Sequence, residues 1–230
     1  MNTLVVIPAR SGSKGLKDKN IKPLNGKPLL FYSIDTAREV FSDNDLFIST
    51  DSVDYANLVK NKKRLNIPFL RPQKLASDSA NTQDVLLHTL AYFEKQGEVY
   101  DAVMLLQPTS PFRKKEHLIE ALKLYEMNKN CDMVVSVKET DVNPYYVLFE
   151  EVNGFLKKSK ESNVTRRQDL PPVYEINGSI YIYNSESLKT KNVSEFDKII
   201  KYKMAKEFSI DIDDQLDFDF ASFMILNSFF

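Results

Sequence analysis

The sequence predicts an α/β fold, a doubly wound and mostly parallel sheet with helices on both faces and one small β-hairpin insertion. Three observations carry this reading. Over the first two-thirds of the chain, short β-branched runs alternate with segments of helical periodicity, as in strand–helix–strand units. The runs read as buried strands of a sheet covered on both faces. The rhythm breaks once, at about residue 140, where an Asn-Gly pair sits between two short strand-like runs, and then resumes.

In order, Leu4–Ile7 is the first expected strand, followed by a helix over 28–41 that opens at Pro28, a favoured first position. Leu46–Ser49 is the second strand, with a helix over 52–65 after it and Asp51 as its expected cap. Ile67–Leu70 reads as a third strand, and the helix over 81–96 stops at Gly97. Ala102–Leu106, a helix over 115–128 and Met133–Val137 complete the regular part. Segment 141–174 holds the hairpin signal Asn153-Gly154 and then a polar, basic stretch. A hairpin with no helix to pack on is expected to dock elsewhere, on a second subunit. The sheet resumes at Gly178–Tyr183. The chain therefore divides into one α/β domain, 1–140 with 175–230, and an arm inserted at 141–174.

Composition bounds the function. At 230 residues with 43% hydrophobic and 11% aromatic content, the chain can bury a proper core. Its 31 basic and 32 acidic residues nearly cancel, so neither nucleic acid nor an anionic membrane is an expected partner. No apolar stretch approaches the roughly 20 residues that span a bilayer. The N-terminal run lacks a basic leader and reads as a strand, which points to the cytoplasm. The one cysteine, Cys131, sits in an apolar run and reads as a buried structural thiol.

The segment from Pro8 to Asn20 concentrates the chemistry. It follows the first strand directly, where open α/β sheets bind ligands. Gly12 and Gly15 let the backbone approach a ligand closely, and Arg10, Lys14, Lys17 and Lys19 supply charge for a polyphosphate. The spacing fits neither a P-loop nor a dinucleotide fingerprint, which sets aside kinases and dehydrogenases. Near the other end, Ser209-Ile210-Asp211-Ile212-Asp213 alternates as a strand does. Both carboxylates then share one face, a donor pair suited to Mg2+ or Mn2+ alongside phosphate oxygens. Asp214, or Asp213, also suits the N-cap of a helix over Leu216–Leu226. After the strand ending at Leu106, Gln107-Pro108-Thr109-Ser110-Pro111 is a proline-stiffened loop whose Gln107 both donates and accepts hydrogen bonds. His88 and His117 have no partner spacing and read as structural.

Ala9-Arg10-Ser11-Gly12-Ser13-Lys14-Gly15 with Lys19-Asn20 resembles the opening signature of the acylneuraminate cytidylyltransferases, the CMP-sialic acid synthetase family. Further matches follow in the family's order. They are Ser49-Thr50-Asp51, Arg71-Pro72 with Leu75-Ala76-Ser77-Asp78, Gln107 to Pro111, Arg166-Arg167-Gln168-Asp169, Asn177 to Tyr181, and Ser209 to Asp213. The resemblance implies a Rossmann-like nucleotidyltransferase fold in which the anomeric hydroxyl of a 2-keto sugar acid attacks the α-phosphorus of CTP. It implies that Arg10 and Lys19 hold the triphosphate, with Ser13 and Gly15 in the same loop, and that Asn20, Arg71, Ala80 and Thr82 surround the cytidine. It implies that Gln107 and Tyr181 face the sugar, and that Arg166 and Arg167 reach from a dimer arm into the neighbour's site as catalytic groups toward the sugar carboxylate.

Two positions depart from the sialic-acid enzymes: Tyr146 stands where a lysine is often found, and Glu175 where some bacterial enzymes carry an arginine. This looks more like relatives that activate legionaminic acid. An enzyme for the eight-carbon sugar Kdo is expected to lack the Ser13-Lys14-Gly15 plus Lys19-Asn20 arrangement and to carry an acid near Gln107. A catalytically inactive relative is expected to have lost Asp211, Asp213 or Lys19, and all three are present.

Overall fold

The computed structural model describes the chain except Lys14, Asp78, Ser79, Thr165, Ser228, Phe230 and the side chain of Arg167. The first half runs β1 (Thr3–Pro8), a small ribbon of β2 (Pro23–Leu24) and β3 (Lys27–Pro28), α1 (Leu29–Arg38), β4 (Leu46–Ser49), α2 (Val53–Lys63), α3 (Thr82–Lys95), β5 (Ala102–Leu105) and α4 (Lys115–Glu126). The second half runs β6 (Met133–Glu139), a hairpin of β7 (Phe149–Val152) and β8 (Phe155–Lys158), β9 (Tyr174–Asn184), α5 (Ser185–Thr190), β10 (Ile199–Lys203) and α6 (Gln215–Leu226).

The main sheet has six strands in the order β10-β6-β9-β5-β1-β4. β1 pairs in parallel with β4 and β5, and β10 with β6, while β9 runs antiparallel between β5 and β6. From β1 the chain first moves outward to β4, then crosses back to β5 on the other side. The order therefore reverses at β1, and a crevice opens beyond the carboxyl ends of β1 and β5. Alternation along the strands builds two cores. Val5, Ile7, Ile48 and Met104 pack under α1, α2 and α4, whereas Leu4, Val6, Phe47 and Leu105 pack under α3 and α5. A third, smaller core joins Leu16, Phe112, Ile212, Phe218 and Ala221.

Three expectations are corrected. Ile67–Leu70 forms no strand: it runs along the outer edge of β4, where Pro68 has no N–H to give a ladder, and Phe69 stacks on Phe47 with ring centroids 4.4 Å apart. The cap of α2 is Ser52, whose hydroxyl accepts from the Tyr55 N–H, and not Asp51. Ser209–Asp213 is not a strand: the Ser209 N–H turns back to the Lys206 carbonyl at 3.0 Å, and the Ile212 N–H makes a single bond to the Thr109 carbonyl at 2.8 Å where a ladder would need several. Its alternation survives all the same, with Ile210 and Ile212 in the third core. Asp214 caps α6 through a capping box with Asp217.

The turn of the β7–β8 hairpin is Asn153-Gly154, both at positive φ (55° and 80°), as a tight two-residue hairpin turn requires. Every residue of the two strands is exposed. Cys131 is buried, and burial pushes its thiol up from the ordinary value. Among the described residues, no helix is long and apolar enough to cross a membrane.

Candidate active site

A cleft of about 610 Å³ occupies the crevice beyond β1 and β5. From the first loop it is lined by Arg10, Ser13, Gly15, Lys19 and Asn20, and from the second quarter of the chain by Arg71, Ala80 and Thr82. Gln107, Asp211 and Asp213 complete the polar wall, and Leu75, Val85, Leu86 and Leu105 give an apolar floor. Segments some 200 residues apart in sequence thus meet in one cleft. Lys17 is exposed and does not line it, and Lys14 and Asp78 lie outside the described residues.

The first loop is held from several sides. Gly12 sits at φ +69°, a conformation that other residues rarely adopt. Ser11 donates to Asp51 twice, from its N–H (2.8 Å) and its hydroxyl (2.7 Å). Burial alone would raise the Asp51 carboxyl, but the Ser11 hydrogen bonds and the Arg71 charge more than offset it and hold it below the usual value. Asn20, itself buried, donates to the Arg10 carbonyl at 3.0 Å. Gly15 has a different purpose from ligand approach: a Cβ there would lie 2.7 Å from the Asp213 carbonyl oxygen. Its missing side chain lets the loop close on the 209–213 segment. Lys19 then donates to the Ile212 carbonyl (2.6 Å) and to Asp213 (3.1 Å).

Arg71 turns its guanidinium largely inward, to the Ser49 hydroxyl (3.1 Å) and carbonyl (2.6 Å) and to the Leu75 carbonyl (3.4 Å). Burial lowers it to about 10, countered in part by Asp51. Arg10 donates to the Ala76 carbonyl at 3.2 Å, so both arginines fasten the 71–77 segment beside the first loop.

Asp211 is the most perturbed acid of the cleft. Burial pushes its carboxyl up, and the like charge of Asp213 adds to this, against a hydrogen bond from Thr109 and the charges of Lys19 and Arg113. Its Oδ1 is buried without a hydrogen-bond partner. An orphaned carboxylate oxygen beside a second carboxylate is a donor set that fits a hard divalent ion. Among the described residues no group of three or more His, Cys, Asp or Glu is gathered in this way, so such an ion would take its other oxygens from water and substrate phosphate.

Tyr181 is not brought into the cleft wall. It is half-buried in β9, stacked on Tyr183 with centroids 6.1 Å apart, and burial with the Asp211 charge raises its phenol. Arg166 is exposed on the arm, and the Arg167 side chain lies outside the described residues. His88 packs on Phe69, and the His117 Nδ1 accepts from the Lys114 N–H at the start of α4.

Two supports were given no role by the sequence, although Asn177 opens one of the matched motifs. Asn177 is buried, accepts from the Ser136 hydroxyl (2.6 Å) and the Ser179 N–H (3.2 Å), and donates to the Ser209 hydroxyl (2.8 Å). It ties β6 and β9 to the segment that carries Asp211. Arg113 is buried beneath the Gln107–Pro111 loop, and its signal was a cation one residue after a proline-bounded turn.

A protein-family model described as Cytidylyltransferase matches residues 4–223. The N-acylneuraminate cytidylyltransferase of Streptococcus agalactiae serotype V is 38% identical over 221 residues, covering 95% of this chain and 52% of that protein. This chain therefore spans about half the length of that curated relative. The CMP-N,N'-diacetyllegionaminic acid synthase of Legionella pneumophila is 34% identical over 225 residues, covering 94% and 93% of the two chains. Among solved structures, a CMP:2-keto-3-deoxy-manno-octonic acid synthetase complexed with CTP superposes with a TM-score of 0.73 at 15% identity, covering 99% of this chain and 100% of that one. At that identity the likeness speaks to the fold.

Gly178 stands where Gln107, Asp211 and Ser110 crowd together. At φ +73°, a Cβ would lie 2.9 Å from Gln107 Oε1, 3.0 Å from Asp211 Oδ2 and 3.2 Å from Ser110 Oγ. Gly178→Ala is expected to cost about 1–3 kcal/mol in urea unfolding, from backbone strain alone. A crystal structure of the variant should show Gln107 and Asp211 pushed apart. Unchanged stability with both side chains in place would refute this account.

Proposed function

The chain belongs to the cytidylyltransferase family, and from that premise we propose that it transfers CMP from CTP to the anomeric hydroxyl of a nonulosonic acid, a nine-carbon 2-keto sugar acid, with release of pyrophosphate. The observation that carries the reading is the single cleft in which Arg10 and Lys19, the pair Asp211 and Asp213, and Gln107 converge. A displacement at the α-phosphorus needs positioning and charge neutralisation more than a protein nucleophile, and the cleft offers both. Arg10 and Lys19 bind the triphosphate, and Asn20, Arg71, Ala80 and Thr82 enclose the nucleoside over the apolar floor. Gln107 orients the sugar by hydrogen bonding. Magnesium, or manganese in its place, would be held by Asp211 and Asp213. When bound, it supplies positive charge against the phosphates. The sugar, like CTP, is taken from the cytoplasm.

The test is pyrophosphate release from CTP with a panel of nonulosonic acids. Arg10→Ala and Lys19→Ala are each expected to lower kcat/KM by roughly a hundredfold or more. Values within about threefold of the parent would remove these residues from the mechanism. Within the panel, Tyr146 in place of a lysine favours the deoxygenated tail of legionaminic acid. A higher kcat/KM for N-acetylneuraminic acid would reject that preference.

Activity is expected to stop in excess EDTA and to return with Mg2+ or Mn2+, and Asp211→Asn should be folded yet nearly inactive. Full turnover in EDTA would dismiss the metal role.

The arm leaves Tyr146, Val147, Phe149, Phe155 and Leu156 exposed, an apolar surface that a symmetric dimer would cover. In that dimer Arg166 and Arg167 would meet the carboxylate of the sugar in the partner's cleft. Sedimentation at assay concentration should show a dimer; a monomer of full activity would exclude the shared site.

A further inference from the structure

We infer that Arg113 is a positioning residue of this cleft: its buried guanidinium clamps the loop after β5 so that Gln107 and Asp211 keep their places for the sugar and the divalent ion. The consequence for catalysis rests on the function proposed above; the clamp itself rests on geometry.

Arg113 is 3% exposed and belongs to the turn that follows Pro111. Its three donor groups go to three different elements. Nε donates to the Ser179 hydroxyl on β9 (3.2 Å), one Nη to the Ser33 hydroxyl on α1 (2.7 Å), and the other Nη to the Gln107 carbonyl. None of these partners is charged. A buried cation whose hydrogen bonds all go to neutral groups is costly, and an apolar side chain of similar length would fill the same space without that cost. Stability alone does not explain an arginine here.

What the fork fixes does. The Gln107 carbonyl is held by Arg113 and, more weakly, by Ser33 at 3.4 Å. With that main chain fixed, Gln107 Oε1 is set against Gly178, and Asp211 Oδ2 stands on the same side of that glycine. Two residues further along the loop, the Thr109 carbonyl accepts the Ile212 N–H at 2.8 Å, which fastens the residue next to Asp211. Asp211 thus hangs on the loop, and the loop hangs on Arg113. The Asp211 charge is the one that favours the buried guanidinium, so cation and anion steady each other across the turn. The nucleotide side is fastened separately, by Asn20 on Arg10, Arg10 on Ala76 and Arg71 on Ser49.

This separation makes the test. In Arg113→Met, the sugar KM and the Mg2+ concentration for half-activation should each rise roughly tenfold or more, as for other losses of outer support, while CTP binding measured calorimetrically without metal stays within about twofold. Arg113→Lys keeps the charge but loses the planar fork, and should fall between. A merely structural role would instead lower thermal stability and leave the sugar, metal and nucleotide constants unchanged or shift them together. Crystal structures of the parent and of Arg113→Lys decide the clamp without any assay: Gln107 and Asp211 are expected to move. If they do not, or if a folded Arg113→Met keeps every constant within about twofold, the inference is wrong. If Arg113→Met does not fold, Arg113→Lys decides by the same measurements. A parent inactive on every sugar would overturn the function and leave the crystal comparison standing.

Discussion

The small third core holds the site together. Leu16 from the first loop, Phe112 from the loop after β5, Ile212 from the segment before α6, and Phe218 from α6 itself pack as one cluster. Each stands a few residues from a polar group of the cleft: Lys19, Gln107 and Arg113, and Asp211 and Asp213. Magnitudes decide which interaction positions which. Full burial of a residue such as Ile212, which has no exposed surface, contributes about 1.5–3 kcal/mol. The Lys19–Asp213 pair, with the aspartate 78% exposed, contributes about 1 kcal/mol at most. The apolar contacts bring the charges together, and the ion pair is a consequence. Gly15 belongs to the same constraint, since only a residue without Cβ lets the loop come down on the Asp213 backbone.

The polar supports work in the opposite sense, by excluding alternatives. Asn177 sits beside the point where the β6–β9 register shifts, between Val135 and Val137, and its side chain accepts from the Ser179 N–H and the Ser136 hydroxyl there. Arg113 fills the space under the next loop with donors aimed at three elements. Buried groups of this kind contribute modest net stability when satisfied and cost much more when a partner is lost. They leave the loops few other arrangements, which is what a site of this kind needs more than extra stability.

Much of the fold was legible because it follows from periodicity. The strands at Leu46–Ser49 and Ala102–Leu105 and the four helices of the first two-thirds stand within a few residues of their expected bounds. Ile67–Leu70 was misread because its composition suits a strand, whereas Pro68 and its place beside the edge strand β4 decide otherwise. Ser209–Asp213 shows a subtler limit. Alternation revealed which side chains face the same way, but not whether a neighbouring strand exists to pair with. The cleft itself was legible as chemistry-bearing types after strand ends. Gly15 and Arg113 were not, since their purposes lie in contacts with residues about 200 and 66 positions away. Asp51 was assigned to the nearest helix, although its partners lie 40 residues back in the first loop.

The division between cleft and arm has a physical logic of its own. The groups proposed to hold the nucleotide and ion all come from this chain and are fastened by contacts within it, so they are preorganised in a single chain. Arg166 stands on a segment whose neighbouring strands hold no buried residue, and a two-stranded ribbon so exposed has little stability in water. An anchor for a carboxylate gains from rigidity, and this ribbon can obtain rigidity only by packing its exposed apolar residues on something else. If a second copy supplies that surface, the same contact that orders the arm also delivers its cations. Assembly and completion of the proposed sugar site would then be one event, with the proposed nucleotide contacts supplied within one chain and the anchor for the sugar's charge supplied across the interface.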